Sequence, residues 1–479
     1  MAHALNERNL YEAMVALLGD TNVLTGASVQ RAYDCDSYTV DRSRPSVVVI
    51  PRSTDEVAAV VKWCHAHEVP FTPRGAGTGL SGGAMPALGG VVISLKGMTK
   101  ILEIDLPNQR LRAETGVPNL QLTRAVESNG FHFAPDPSSQ SVSTLGGNIA
   151  ENSGGPHTLK YGVTSPHILG LTLVDEKGDI HVLGGGAPGR PGPNLVQLSV
   201  GTEGTTGIVT EAWIRLTPLP AAIETGLAHF SSVREATQTV SDIIAAGLIP
   251  AALEFMDRNI LEALAAAFKF EFAEGAEALL LFECDGEATS VAEDTRAIFE
   301  ICRKNNALRV DQAEDAAQRA RLWMVRKKGI GAMGRLAPSI VTHDGVIPRS
   351  KLPETLEAVY EIAKRRNIGV ANIFHAGDGN LHPCFYFDDR DPKQVEAVVE
   401  AGEEIIELCV RLGGSVTGEH GVGVEKQSLL GHMFTPADLD YQLKIKQIFA
   451  QGDLCNPCKV LPSAKGCLEH KARWRGVAT

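Results

Sequence analysis

The stretch PRGAGTGLSGG, residues 73–83, places five glycines in eleven positions, and the residues on its C-terminal side limit the fold more than any other feature of the chain. Upstream, PSVVVIPRS (45–53) reads as a strand. STDEVAAVVKWCHAHE then opens on a Ser-Thr-Asp cap and runs apolar at helical spacing, and VPFTPRG returns as a short strand. Gly77 to Gly82 spells G-x-G-x-x-G, a dinucleotide signature only where the loop feeds a helix whose N-terminus faces the pyrophosphate. Here the continuation AMPALGGVVISLKGM, with Pro86, a Gly pair and a β-branched run, predicts another strand. No helix is available for a Rossmann turn. The loop is then either a connecting turn or a nest of backbone N–H groups that holds phosphate unaided, glycine permitting the positive φ that a nest requires.

Two further segments share its character. APDPSSQSVSTLGGNIAENSGG (134–155) and SVGTEGTTGIVTEAWIRLTP (199–218) are rich in Gly, Ser, Thr and Asn, and each leads into a strand or short turn. Between them TSPHILGLTLVDEKGDIHVLGG predicts a hairpin with a tight KGD turn, and the linker GGGAPGRPGPN comes next. Three small-residue loops converging on one cleft suit a long ligand with phosphates, a polyol chain and a polar ring edge.

The chain has 479 residues, enough for two or three cores, with 45 basic against 57 acidic residues and a formal charge of −12. No Lys/Arg-rich block is present, so nucleic acid and anionic membrane are poor partners. MAHALNERNLYEAMVALLGD is a charged amphipathic helix rather than a secretory signal, and no apolar run approaches the roughly 18 residues of a membrane helix. Nine scattered cysteines do not resemble a disulfide framework and point to a reducing cytoplasm. The lone C-x-x-C of Cys455 and Cys458, with Cys467 nine residues on, lacks the second pair a zinc site needs, so plain thiols are expected. No cysteine cluster for an iron-sulfur centre is present either.

A second constellation lies downstream. IGVANIFHAGDGNLHPCFYFDD (368–389) predicts a hairpin with His375 and His382 flanking a DGN turn, and GGSVTGEHGVGVEK adds Glu419 and His420 on a glycine-flanked loop. Two His and a carboxylate form the ligand set of a catalytic divalent metal, Zn²⁺ or a near relative. H-x6-H is a weak metal spacing, and ordinary hairpin polar residues explain it equally well. Arg326 in LWMVRKKG is either a carboxylate-binding guanidinium or part of a solvated charge run with Lys327 and Lys328.

In order and spacing, PRGAGTGLSGG, PDPSSQSVSTLGGNIAENSGG, LKYGVTSP and GTEGTTGIVTEAWIRL resemble the FAD-binding domain of the vanillyl-alcohol-oxidase/PCMH flavoprotein superfamily. FHAGDGNLHP and GEHGVGVEK narrow the resemblance to its D-2-hydroxy-acid dehydrogenase branch, which includes the FAD subunits of bacterial glycolate oxidases. The resemblance spans residues 30 to 465. It implies an α+β architecture: a PCMH-type FAD-binding domain with two subdomains (1–220), an antiparallel-sheet substrate and metal-binding domain (221–425), and a helical tail (426–479) returning to the first. The FAD pyrophosphate would lie against Arg74, Gly75, Ala76, Gly77, Thr78, Gly79, Leu80 and Ser81. Pro135, Thr144, Gly147, Asn148, Ser153 and Gly154 would line the ribityl chain and isoalloxazine, with Glu203, Ile208 and Asn456 as further cofactor residues. The first loop has no histidine, so the flavin is expected without a covalent link.

The same resemblance implies His375, His382 and Glu419 as ligands of a divalent metal, Zn²⁺ first, with Mn²⁺ or Fe²⁺ as alternatives. It makes His420 the catalytic base or a substrate contact, and Arg326 and Asn380 substrate contacts. Thr342 and His343 stand where members acting on a larger dicarboxylate carry a second basic group, which favours glycolate or D-lactate over 2-hydroxyglutarate. The implied partners are an iron-sulfur subunit and a second flavin-domain subunit, or a second copy in a homodimer. Such a protein would be cytoplasmic, or peripheral at the inner membrane through its partners. A zinc hydrolase without flavin and a non-catalytic electron-relay flavoprotein are the rival readings. The family's usual G-x-L-N-P-G-K is GDLCNPCK here, with Cys458 in the place of a glycine.

Overall fold

The computed structural model describes residues 7–187, 192–268 and 270–462. Part of the linker GGGAPGRPGPN and residues 463–479, with Cys467, lie outside them. The chain divides into two compact units: residues 1–153, 163–218 and 420–479 form one, and residues 154–162 and 219–419 the other.

In the first unit a four-stranded sheet runs in the order Val23–Leu24, Val47–Val49, Val91–Ser94, Phe71–Arg74, the last three strands parallel. Phe71–Arg74 leads into the glycine loop, and the chain reaches Val91–Ser94 without an intervening helix, as the loop's sequence requires. Ser53 caps the helix Thr54–Ala66 by accepting from Glu56 N–H, and Val57, Val60 and Val61 of that helix pack onto Val47 and Val49. Each fully buried side chain of this kind contributes about 1.5–3 kcal/mol. A five-stranded antiparallel sheet comes next, ordered Ile101–Asp105, Arg110–Glu114, Ile208–Arg215, Ile168–Val174, Ile180–Gly184, and includes the expected hairpin around Lys177-Gly178-Asp179. One element departs from the loop expectation. Leu145–Glu151 is a short helix, nucleated by Thr144, whose Oγ1 accepts from Gly147 N–H.

The C-terminal residues belong to this unit. Phe71 N–H donates to Leu454 O, and Asn456 N–H donates to Phe71 O, so the tail extends the edge of the parallel sheet. Cys458 has φ +62°, so a residue that carries a Cβ holds the left-handed conformation that favours glycine. The plain-thiol expectation is corrected here. Cys458 is disulfide-bonded. Cys455 is a buried free thiol donating to Gly204 O, so the two cysteines do not pair with each other.

The second unit is an antiparallel sheet in the order Arg309–Gln312, Ala222–Phe230, Ala278–Gly286, Ala252–Asp257, Gly369–His375, Asn380–Leu381, Gly345–Val346, with Pro383–Phe387 bridging Gly369–His375 and Ser339–Thr342. Helices Val233–Ala245, Ala288–Lys304 and Pro392–Arg411 carry their apolar faces inward. Its boundaries differ from the expected 221–425 in two places. Residues 154–162 fold with it because His157 bonds to Glu283 and Tyr161 to Asp285. Residues 420–425 fold with the first unit because Ser81 and Glu203 hold their backbone. Among the described residues, no helix is long and apolar enough to cross a membrane.

Candidate functional site

The first unit gathers the glycine loop, the Thr144-capped helix and the 199–209 segment around a cleft lined by the expected Arg74, Gly75, Thr144, Gly147, Glu203 and Ile208 and by Glu151. Gly77 has φ +75°, and a Cβ there would run into the Arg74 guanidinium, so the loop is closed around that side chain. Arg74 Nη1 donates to Cys35 O at 2.8 Å, and burial lowers its pKa. Gly79 O accepts from Ser37 N–H, and Ser81 Oγ donates to His420 O at 2.9 Å. Pro135 O accepts from Asn119 Nδ2, and Ser153 N–H donates to Asn148 O. Asn456 is bound within the protein: Nδ2 donates to Gly83 O and Glu203 O, and Oδ1 accepts from Lys459. It ties the loops together rather than offering a free group. Ala76, Thr78 and Leu80 complete the loop, whereas Gly154 falls in the second unit, where a Cβ on it would crowd Glu419.

The cleft fits a phosphate-bearing flavin. Asn148 is 2 % exposed, and its Nδ2, a donor, has no hydrogen-bond partner among the described residues. A buried donor costs about 1–3 kcal/mol when unsatisfied, which a bound acceptor would relieve.

In the second unit the two histidines meet on one carboxylate. His375 Nε2 lies 3.1 Å and His382 Nε2 3.4 Å from Glu419 Oε1, with the imidazole centroids 5.0 Å apart. The ligand atoms of all three lie within 4.8 Å of one another, a set that fits one metal ion. The hairpin does not set the histidines opposite each other, since His375 pairs with Asn380. Two carboxylates unforeseen from the sequence orient the ligands. Glu254, in strand register with His375, accepts from His375 Nδ1 at 2.7 Å, fixing the tautomer that leaves Nε2 toward Glu419. Asp344 accepts from Thr417 Oγ1 and from the N–H groups of Gly418 and Glu419, and lies 3.7 Å from His382 Nε2. Burial opposes charge on His375, but Glu254 and Glu419 outweigh it and push its pKa well above the ordinary value. Burial raises Asp378, in the hairpin turn, to about 6.

Arg326 is 3 % exposed, which removes the solvated charge-run reading. Its Nε donates to Glu254 Oε2 at 2.5 Å, so one carboxylate bridges the guanidinium and the His375 imidazole. Nη1 and Nη2 make no hydrogen bond among the described residues. Asn380 Oδ1 is likewise buried without a partner among them. His420 comes directly after Glu419 and is the first residue of the flavin unit's last segment. A lone Glu in the apolar run AALEFMD and the acids of THDG and AGDG were the available signals for Glu254, Asp344 and Asp378.

A glycine-lined cleft beside a mixed sheet, joined in sequence to an antiparallel sheet bearing a His-His-Glu cluster, is the arrangement of a two-domain flavoprotein. Residues 45–184 match the FAD binding domain family, and residues 219–460 match the C-terminal domain of FAD linked oxidases. The chain belongs to the FAD-linked oxidases. It is 40 % identical over 440 residues to the glycolate oxidase subunit GlcD of Escherichia coli, covering 92 % of this chain and 88 % of that one. To a D-lactate dehydrogenase of Anaerostipes hadrus it is 32 % identical, covering 91 % and 94 %. The solved structure of p-cresol methylhydroxylase with bound substrate superposes with a TM-score of 0.79 at 18 % identity, covering 95 % of this chain and 97 % of that one, so the fold is PCMH-type.

Proposed function

We propose that the protein is an FAD- and divalent-metal-dependent dehydrogenase of a small D-2-hydroxy acid, glycolate or D-lactate, yielding the 2-oxo acid. The convergence of His375 and His382 on Glu419, with Glu254 behind His375, carries this reading. It is supported by similarity to proteins named as a glycolate oxidase subunit and a D-lactate dehydrogenase.

The reaction removes a hydroxyl proton and a hydride from Cα; FAD, when bound, supplies the hydride acceptor. A metal ion held by His375, His382 and Glu419, Zn²⁺ before Mn²⁺ or Fe²⁺, would lower the hydroxyl pKa. Around it the chain positions the rest. Glu254 locks the His375 tautomer and fixes the Arg326 guanidinium through Nε, leaving both Nη groups for the substrate carboxylate. Asn380, whose Oδ1 is buried without a partner among the described residues, is a further substrate contact. His420, adjacent to Glu419, takes the proton.

Arg326 is the only buried Lys or Arg among the described residues of the second unit, and Thr342 Oγ1 is engaged with Cys384 Sγ. One buried guanidinium suits a monocarboxylate better than 2-hydroxyglutarate. Its similarity to a protein named as a glycolate oxidase subunit supports work in a complex with an iron-sulfur subunit and a second flavin-domain subunit, with a homodimer as the alternative.

Anaerobic addition of glycolate, D-lactate, L-lactate and D-2-hydroxyglutarate to the flavin-loaded protein tests the reading. Bleaching of the visible flavin band by glycolate or D-lactate alone is expected. A band that none bleaches removes the dehydrogenase, and bleaching by 2-hydroxyglutarate alone overturns the substrate assignment.

A further inference from the structure

The flavin unit holds three carboxylates beside its glycine loops, and only two of them are met by donors among the described residues. Glu203 accepts from Val422 N–H at 2.6 Å and Gly423 N–H at 2.7 Å. Asp36 accepts from Tyr38 N–H at 2.9 Å and Ala84 N–H at 3.3 Å. Glu151, the last residue of the Thr144-capped helix, lines the cleft with Glu203, yet its carboxyl makes no hydrogen bond among the described residues, and its Oε2 is buried.

Its surroundings are built tightly around it. Gly421, at φ +81°, has no room for a Cβ, which would run into the Glu151 carboxyl and lie 2.7 Å from Glu203 Oε1. A Cβ on Gly83 would lie 2.6 Å from Glu151 Oε1. Two loops thus press bare Cα positions against the acid without turning an N–H toward it.

The charged groups facing Glu151 are Glu203, Asp36, Lys426 and Lys459. Lys459 Nζ is bound to Met85 O and Asn456 Oδ1, and Lys426 Nζ donates to Gly421 O; neither bonds to Glu151. Burial, then Glu203 and Asp36, raise the Glu151 pKa well above the ordinary value, against a smaller pull from the two lysines. Burial also lifts Glu203 to about 7, although the amides of Val422 and Gly423 pull it back, and lowers Lys459 to about 8. A carboxylate in this position would meet two like charges. A carboxylic acid has a proton to give.

We propose that Glu151 is a cofactor-binding residue whose carboxylic acid O–H donates a hydrogen bond to an acceptor atom of FAD, so that flavin binding requires the protonated side chain. The proposal rests on the cleft being the FAD site. Its sign comes from linkage: as pH rises, Glu151 of the apoprotein ionises and must regain a proton before FAD binds. Affinity therefore falls toward alkaline pH, with a limiting slope of about tenfold per pH unit.

FAD titration of the flavin-stripped full chain, monitored by flavin fluorescence from about pH 6 to about pH 9, reads that slope, and calorimetry in buffers of different ionisation enthalpy reads the proton taken up. Wild type is expected to show both. Glu151→Gln, which keeps a neutral donor, is expected to bind FAD with neither the slope nor the proton uptake, and Glu151→Ala to bind about tenfold or more weakly even at low pH. A Glu151→Gln variant that keeps the wild-type slope would assign the titration to Glu203 or Lys459 and overturn the proposal. Wild-type binding that takes up no proton would overturn it without reference to any variant. Failure of wild type to bind FAD at any pH would remove the cleft assignment itself, and the proposal with it.

Discussion

Each unit buries a cluster of carboxylates, and the two clusters differ in what faces them. In the flavin unit Glu203 and Asp36 are met by backbone N–H groups, Lys459 is bound among carbonyls, and Glu151 is met by no donor among the described residues. In the second unit Glu254, Glu419 and Asp344 are met by imidazoles, by Arg326 and by the backbone of their own loop. The first arrangement suits an anionic cofactor, because its acids are capped or neutral. The second suits a cation, because its acids and imidazoles converge on one point. Burial raises a carboxylate's pKa in both, and the partner decides whether the charge survives.

The comparison breaks most visibly at Glu419. Glu419→Gln removes the charge on which both histidines converge, and kcat/KM for the hydroxy acid is expected to fall about 10³-fold with loss of bound metal. The flavin spectrum should remain, because the cleft lies in residues of the other unit; loss of flavin together with metal would contradict the separation. Glu254→Gln leaves the ligands and removes their orientation, and metal affinity measured by chelator competition should drop about 10–100-fold.

Arg326→Lys keeps the charge and loses the planar fork, raising KM by about 10–100-fold with a smaller change in kcat. In the flavin unit, Asn456→Ala exposes the Gly83 and Glu203 carbonyls as unsatisfied acceptors at a cost of about 1–3 kcal/mol. It should lower the melting temperature of the protein and release flavin while metal content stays constant. Thr144→Ala removes one cap, costing about 1 kcal/mol, and is expected to weaken FAD binding least.

The sequence is most legible where local signals act alone. Pro86 and the β-branched run after the glycine loop forbid a helix there, and the chain proceeds to Val91–Ser94. The DGN turn likewise marks the hairpin that carries His375 and His382. The hidden part depends on register and burial between distant segments. Glu254 orients His375 because strands 252–257 and 369–375 pair in one register, and nothing in AALEFMD states that partner. Arg326 reads equally as a surface charge because Lys327 and Lys328 come after it, although the helix turns Arg326 alone of the three into the core. Glu151 is inconspicuous inside GGNIAENSGG because a polar loop residue and the buried end of a helix look alike without the fold.

The most direct test of the account is anaerobic flavin reduction by glycolate and by D-lactate before metal removal, after dialysis against a chelator, and after Zn²⁺ is returned. Metal dependence predicts that the dialysed protein keeps its flavin band, loses substrate bleaching, and recovers it with about one ion per chain. Unchanged bleaching in protein shown to contain no metal would contradict the role given to His375, His382 and Glu419.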